Sequence, residues 1–166
     1  MANWCQNTVE FSGNEQRLKE IDWLFKAMAV LEKDTRVGQL PPFVDNDALV
    51  GAGEGHFVGI HIYDGTVDYE TKRMPNTGIL VQIADYFQAD FRYAYYEPGK
   101  KIFGEATYRQ GILTDISLDQ GDFELFREDE EGYQFEGQSY DGDVEILEIL
   151  LERKKTGRDT RHGYGR

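Results

Sequence analysis

Apolar and polar side chains alternate over residues 5–11. Cys5, Val9 and Phe11 fall on one side, Thr8 and Glu10 on the other, which is the period of a half-buried strand. Trp4 falls on the side away from Cys5 and is expected to cover a sheet end. The period then lengthens. In "SGNEQRLKEIDWLFKAMAVLEKD", Leu18, Ile21, Leu24, Phe25, Met28 and Leu31 recur at three and four residues, widened by Trp23, Ala27 and Val30. That stripe predicts a core-facing helix, and Ser12 and Glu15 have capping-box spacing at its start. Residues 38–55, with two prolines and four glycines, predict a long loop.

Alternation resumes in "HFVGIHIYDGTVDYET". Val58, Ile60 and Ile62 lie on one side, Asp64-Gly65 is a two-residue hairpin turn, and Val67, Tyr69 and Thr71 alternate on the return strand. Pro75 precedes Ile79, Leu80, Ile83 and Phe87 at helical spacing. Phe91, Tyr93 and Tyr95 then share one side of a strand ending at the turn Pro98-Gly99. The order strand, helix, strand, strand, helix, strand is the ferredoxin-like split βαβ arrangement. Short segments at 101–109, 112–118, 123–127 and 133–137, separated by Gly111, Gly121 and Gly132, predict an antiparallel meander that extends the sheet. A last helix is expected from Asp143 to a stop at Gly157, with Val144, Leu147, Leu150 and Leu151 facing the body. The expected fold class is therefore α+β: a ferredoxin-like βαββαβ core, a C-terminal antiparallel β extension and a final helix. Residues 1–155 form one domain and 156–166 a flexible basic tail.

Charge changes the picture more than composition does. The chain of 166 residues has 18 basic and 31 acidic side chains, net −13. Residues 119–152 hold 13 acids and one base, Arg127, whereas 153–166 hold six bases and one acid. The body before that tail carries 12 bases and 30 acids, net −18. Such a body repels phosphate backbones, so direct nucleic-acid binding is not expected. No run reaches the length of a membrane span and no signal peptide stands at the start, and with one cysteine the expectation is a cytoplasmic protein.

The motifs resemble a known family. "MANWCQNTVEFSG" resembles the opening of the YubB-type ferredoxin-like proteins of plasmids, phages and integrative elements, where Asn-Trp-Cys-x-Asn leads into a strand and a glycine. "DYETKRMP", a helix, and "YAYYEPGKKIFGEATYRQG" are similar to that family's Thr-Lys-Trp-x-Pro segment, helix, and Tyr-x-Glu-x-Gly strand pair, with Arg73 in place of the tryptophan. The resemblance implies a ferredoxin-like domain and association with mobile genetic elements. It supplies no established activity and therefore no catalytic residue.

Candidate chemistry is sparse. Cys5 would need a histidine base, and only His56, His61 and His162 exist. Strand alternation sets Cys5 inward and His61 outward, so no catalytic residue is assigned. His56-x4-His61 on an extended strand separates the rings and gives no zinc spacing, while the carboxylates of "LDQGDFE" and "SYDGDVE" read as solvated turns. Neither metal nor cofactor is expected. "GAGEG" at 51–55 lacks the Lys-Ser/Thr of a phosphate loop. "KIFGEATY" matches an RNA-binding strand pattern at Lys101, Phe103, Gly104 and Tyr108 but places Glu105 at a stacking position.

Phe57, Tyr63, Phe91, Tyr93 and Tyr95 are assigned to the open sheet face. Residues 112–155 are expected to fold over that face, because the Leu- and Ile-rich helix needs a surface to bury against. The leading expectation is a non-enzymatic acidic interaction protein with a protein partner, in its specific form a polyanion mimic that occupies the basic groove of a nucleic-acid-binding host protein. The candidate partner-binding residues are Asp119, Asp122, Glu124, Glu128, Asp129, Glu130, Glu131 and Glu136, with Tyr93 and Tyr95. The alternatives are a small-ligand binder or enzyme using the 38–55 loop, and a nucleic-acid binder acting through the basic tail.

Overall fold

A computed structural model describes residues 3–45 and 55–163. The first strand, β1 (Trp4–Ser12), buries Cys5, Asn7, Val9 and Phe11 and exposes the residues between them. The helix α1 (Glu15–Thr35) does not start on the expected capping box. Ser12 is still strand, and the cap is Asn14, whose Oδ1 accepts from the N–H groups of Gln16 and Arg17. Then come β2 (Val58–Tyr63), β3 (Thr66–Lys72), α2 (Thr77–Phe87), β4 (Asp90–Glu97), a single 3-10 turn at Pro98–Lys100, β5 (Ile102–Arg109) and β6 (Ile112–Ser117). The Asp64-Gly65 turn has φ of 45° and 77°, the left-handed pair a tight hairpin demands.

The main sheet runs β2-β3-β1-β4-β5-β6, and every neighbouring pair is antiparallel. Its first four strands with α1 and α2 form the ferredoxin-like βαββαβ core, and the fold is α+β. One face of the sheet is covered by α1 and α2. There Ile21, Phe25 and Met28 of α1 and Ile79, Leu80, Ile83 and Phe87 of α2 bury against Val9, Phe11, Val67, Phe91 and Tyr93.

The C-terminal third departs from the expected meander. Residues 120–123 form a helical turn, α3 (Gln120–Phe123), where a strand was expected to begin at 123. Asp119 and Asp122 lock it with a reciprocal capping box. The strands β7 (Arg127–Asp129), β8 (Gly132–Phe135) and β9 (Gln138–Tyr140) then make a sheet of their own and do not extend the first. The final helix α4 (Val144–Gly163) buries Ile146, Leu147, Leu150 and Leu151 against Phe135, Leu118, Tyr96, Phe103 and Ile116. Val144, expected to face the body, is exposed, and Ile146 takes its place. The helix also runs through Gly157, so the backbone assigned to a flexible tail is helical as far as Gly163. One interior glycine costs only about 1 kcal/mol relative to alanine, too little by itself to stop a helix. Tyr96 alternates with Tyr95 along β4, so α4 lies on the face opposite α1 and α2.

Candidate functional site

The first strand decides whether "NWCQN" is reactive. In register, Cys5 stands beside Thr71 of β3, and Gln6 beside Tyr96 of β4. Its thiol is fully buried, with Sγ 3.6 Å from Asn7 Oδ1. Burial pushes the thiol up to about 11, and the nearby Glu97 carboxylate adds to the shift. A buried thiol held protonated offers very little of the nucleophilic thiolate at neutral pH. His61 is on the exposed side of β2, next to Tyr63. Cysteine and histidine are thus on opposite sides of the sheet. His56 Nδ1 is buried without a hydrogen-bond partner among the described residues. Residues 46–54, which include Asp47 and most of "GAGEG", lie outside the described residues.

Around Cys5 the polar side chains satisfy one another. Asn7 Nδ2 donates to Cys5 O and to Thr71 Oγ1, while its Oδ1 accepts from Tyr93 OH at 2.6 Å. Tyr69 OH donates to Asn76 Oδ1, and Asn76 N–H donates to Tyr93 OH. Burial raises both Tyr69 and Tyr93 well above the usual phenol range, so the network stays neutral. Glu97, also buried, accepts from the N–H groups of Gly99 and Lys100 and closes the 3-10 turn. A Cβ on Gly99 would stand 2.9 Å from that carboxylate and 3.1 Å from Asn3 Nδ2. Asn7 and Thr71, with Tyr69, Asn76 and Tyr93, thus tie β1, β3 and β4 together at one end of the sheet, while Glu97 and Gly99 hold the turn that follows β4.

Tyr93 and Tyr95 are not on the open face. They are 2 % and 5 % exposed and point toward the helices with Phe91. The alternation of β4 groups them correctly, but the side they share is the covered one. Phe57 is buried too, and of the five aromatics assigned outward only Tyr63 is exposed. Tyr95 reaches over Gly104, where a Cβ would meet its hydroxyl at 2.5 Å, to donate to Asp115 Oδ1. Along "KIFGEATY", Phe103 faces α4 whereas Tyr108 is buried on the other side, donating to Asp85, so no stacking platform exists.

The open part of the sheet, beyond the reach of α4, is polar. Thr8 donates to Asp68, which also accepts from Tyr63, and Glu10, Arg92 and Thr107 lie alongside. An apolar concavity lies elsewhere, between α1, α2 and the 39–43 segment. This groove of about 860 Å³ is lined by Trp23, Leu31, Phe43 and Tyr86. Trp23 is 75 % exposed. The sequence signal was the width of the α1 stripe: nine apolar positions span more of the helix than one sheet can cover.

The acidic candidates divide into two groups. Asp119 and Asp122 both accept from Lys154 Nζ, at 2.9 and 2.7 Å, and Glu136 is held bidentately by Arg153 at 2.7 and 2.9 Å. These cations lower Asp119 and Glu136 below the usual carboxylate range. Glu124 accepts from Gln120, and Asp129 caps its own turn through Glu131 N–H. Glu128, Glu130 and Glu131 are exposed at the β7–β8 hairpin with no ion-pair partner among the described residues. The three leading bases of the C-terminal segment, Arg153, Lys154 and Lys155, are all engaged internally, Lys155 with Glu105 and Glu152.

Among the described residues no group of three His, Cys, Asp or Glu is placed to hold a metal ion, and no helix is long and apolar enough to cross a membrane. The family model described as "Ferredoxin-like domain in Api92-like protein" matches residues 55–141, just over half of the chain. No curated protein and no solved structure matches. The matched span runs from the approach to β2 to the end of β9. The strand β1, which precedes it, pairs with β3 on one side and β4 on the other.

Proposed function

The chain belongs to the family of ferredoxin-like domains in Api92-like proteins, and from that premise we propose that it is a non-enzymatic, acidic interaction protein whose partner is a basic protein surface. In its specific form the proposal is polyanion mimicry by a protein of a mobile genetic element, directed at a host protein that ordinarily binds nucleic acid.

The observation that carries this reading is the division of the carboxylates. The set nearest α4 is neutralised by Lys154 and Arg153 and serves the packing of the helix. The set at the tip of β7–β8, Glu128, Glu130 and Glu131, is left to solvent on a hydrogen-bonded hairpin. Negative charge carried on an ordered strand pair is positioned charge, which gives specificity and steers encounter. The inert thiol of Cys5 and the solitary, outward His61 favour a binding role over a cysteine enzyme.

The test is binding to an arginine-rich peptide followed by fluorescence anisotropy. Affinity should fall at least tenfold between about 20 and about 200 mM salt, because screening shortens the reach of exposed charges. The triple variant Glu128→Gln, Glu130→Gln, Glu131→Gln should lose most of the low-salt affinity. Equal binding by the wild type and this variant would remove the hairpin from the interface and the reading with it.

A further inference from the structure

A sheet edge presents unpaired main-chain donors and acceptors, and folds ordinarily guard such an edge. The two edges of the main sheet differ sharply in this respect. At β2 the guard is thorough. A bulge at Gly59, with φ of 63°, breaks the ladder, and Glu32 of α1 accepts from the N–H groups of both Gly59 and Ile60. The approach to that strand is paired, Phe57 with Gln39 through two main-chain hydrogen bonds. At β6 there is no bulge, proline or lysine. Among the described residues nothing pairs with its outer side. Its side chains include Ile112 at 69 % exposure and Leu113 at 44 %.

The phase of the hydrogen bonds shows which residues face outward. Gln110-Gly111, with φ of 50° and 79°, is a two-residue turn, so Arg109 and Ile112 form its hydrogen-bonded closing pair. Ile112, Thr114 and Ile116 accordingly turn their main-chain groups to β5, in step with the bond from Leu118 N–H to Phe103 O. Leu113, Asp115 and Ser117 turn theirs to the free edge.

We propose that this edge is a self-association surface, where β6 of two copies pairs antiparallel about a two-fold axis at Thr114. The axis position follows from the side chains. Centred on Asp115, the pairing would set two carboxylates directly opposite each other. Centred on Leu113, it would shorten the overlap. Centred on Thr114, it places Ile112 opposite Ile116 of the second copy, Thr114 opposite itself, and Leu113 opposite Asp115. The last pair exchanges main-chain hydrogen bonds, about four in all by symmetry. Ile116 belongs to the core under α4, so the exposed Ile112 of each copy would extend that core in the other. A second copy suits this edge because the apolar positions at the two ends of the strand match each other when the strand is reversed.

The test is sedimentation of the full chain together with cysteine cross-linking. Cys5 is buried, so Thr114→Cys introduces the one reactive thiol among the described residues. Across a non-hydrogen-bonded antiparallel pair the Cα atoms lie about 4.5 Å apart, within disulfide reach. Mild oxidation should therefore convert Thr114→Cys to a covalent dimer and leave Leu113→Cys largely monomeric. The wild type should dimerise more tightly as salt is raised, since two chains of net −13 repel each other. Thr114→Lys should weaken association at least tenfold with an unchanged circular dichroism spectrum. A wild type that is monomeric at about 100 µM, or cross-linking of Leu113→Cys in preference to Thr114→Cys, would overturn the proposal. The acidic-hairpin reading predicts binding that weakens with salt, so the failure of one leaves the other standing.

Discussion

The two faces of the main sheet are covered by different kinds of construction. The α1/α2 face is a continuous aromatic core, in which Phe25 packs between Phe11 and Phe57 at centroid distances of 5.9 and 5.4 Å, with a neutral polar network at one end. The α4 face is smaller and covers only the β4–β6 side. It is aliphatic in the middle and ringed by ion pairs from Lys154, Arg153 and Lys155. Burial supplies most of the stability of such structures, whereas exposed ion pairs supply little. The first face should therefore determine whether the chain folds, and the second where its C-terminal part sits.

The largest effect expected is at Phe25. Truncation of Phe25 to Ala should cost about 3–5 kcal/mol and shift the whole denaturant transition, read by circular dichroism. Leu147→Ala, in the α4 core, should instead lower hydrogen-exchange protection mainly in residues 118–157. Uniform loss of protection in both variants would mean that the two cores are one cooperative unit.

The next effect is in pH. Cys5 has a folded-state value of about 11 against an ordinary 9.0. Folding therefore favours the protonated thiol: its contribution is whole below pH 9 and is lost as pH rises from 9 to 11, up to about 2–3 kcal/mol. Cys5→Ala should remove that part of the alkaline decline, measured as the difference from wild type in chemical denaturation across this window. A folded-state thiol alkylated as fast as a free one would contradict the burial that causes the shift. The smallest effect belongs to the second face. Arg153→Gln breaks the bidentate contact with Glu136 and the approach over Phe135, yet it should move Tm by about 2 °C at most. A larger shift would promote the ion pairs from rim to framework.

The same contrast separates what the sequence made legible from what it did not. Val9, Phe11, Val67 and Phe91 were legible because each strand carries its own period, and period survives without knowledge of partners. Cys5 was legible for the same reason. The side that Tyr93 and Tyr95 face was not, because alternation groups side chains without saying which group the helices cover. The independence of β7–β9 from the main sheet was equally hidden, since strand pairing is a long-range choice that three- and four-residue strands barely encode. The continuation of α4 past Gly157 was hidden because an interior glycine is a weak signal: it costs only about 1 kcal/mol relative to alanine and need not end a helix. Of the acidic candidates the positions were legible but the pairing was not: that Lys154 would bind Asp119 and Asp122 depends on where α4 docks, 32 to 35 residues away in sequence.

The place of β1 in the sheet also bears on how the protein is made. It leaves the ribosome before the other described strands, yet both of its neighbours are late: Asn7 bonds to Thr71 and Tyr93, 64 and 86 positions downstream. Until β4 (Asp90–Glu97) has emerged, the nascent chain must carry Cys5 and its apolar companions bare, and the sheet's middle closes only after β4 has been added.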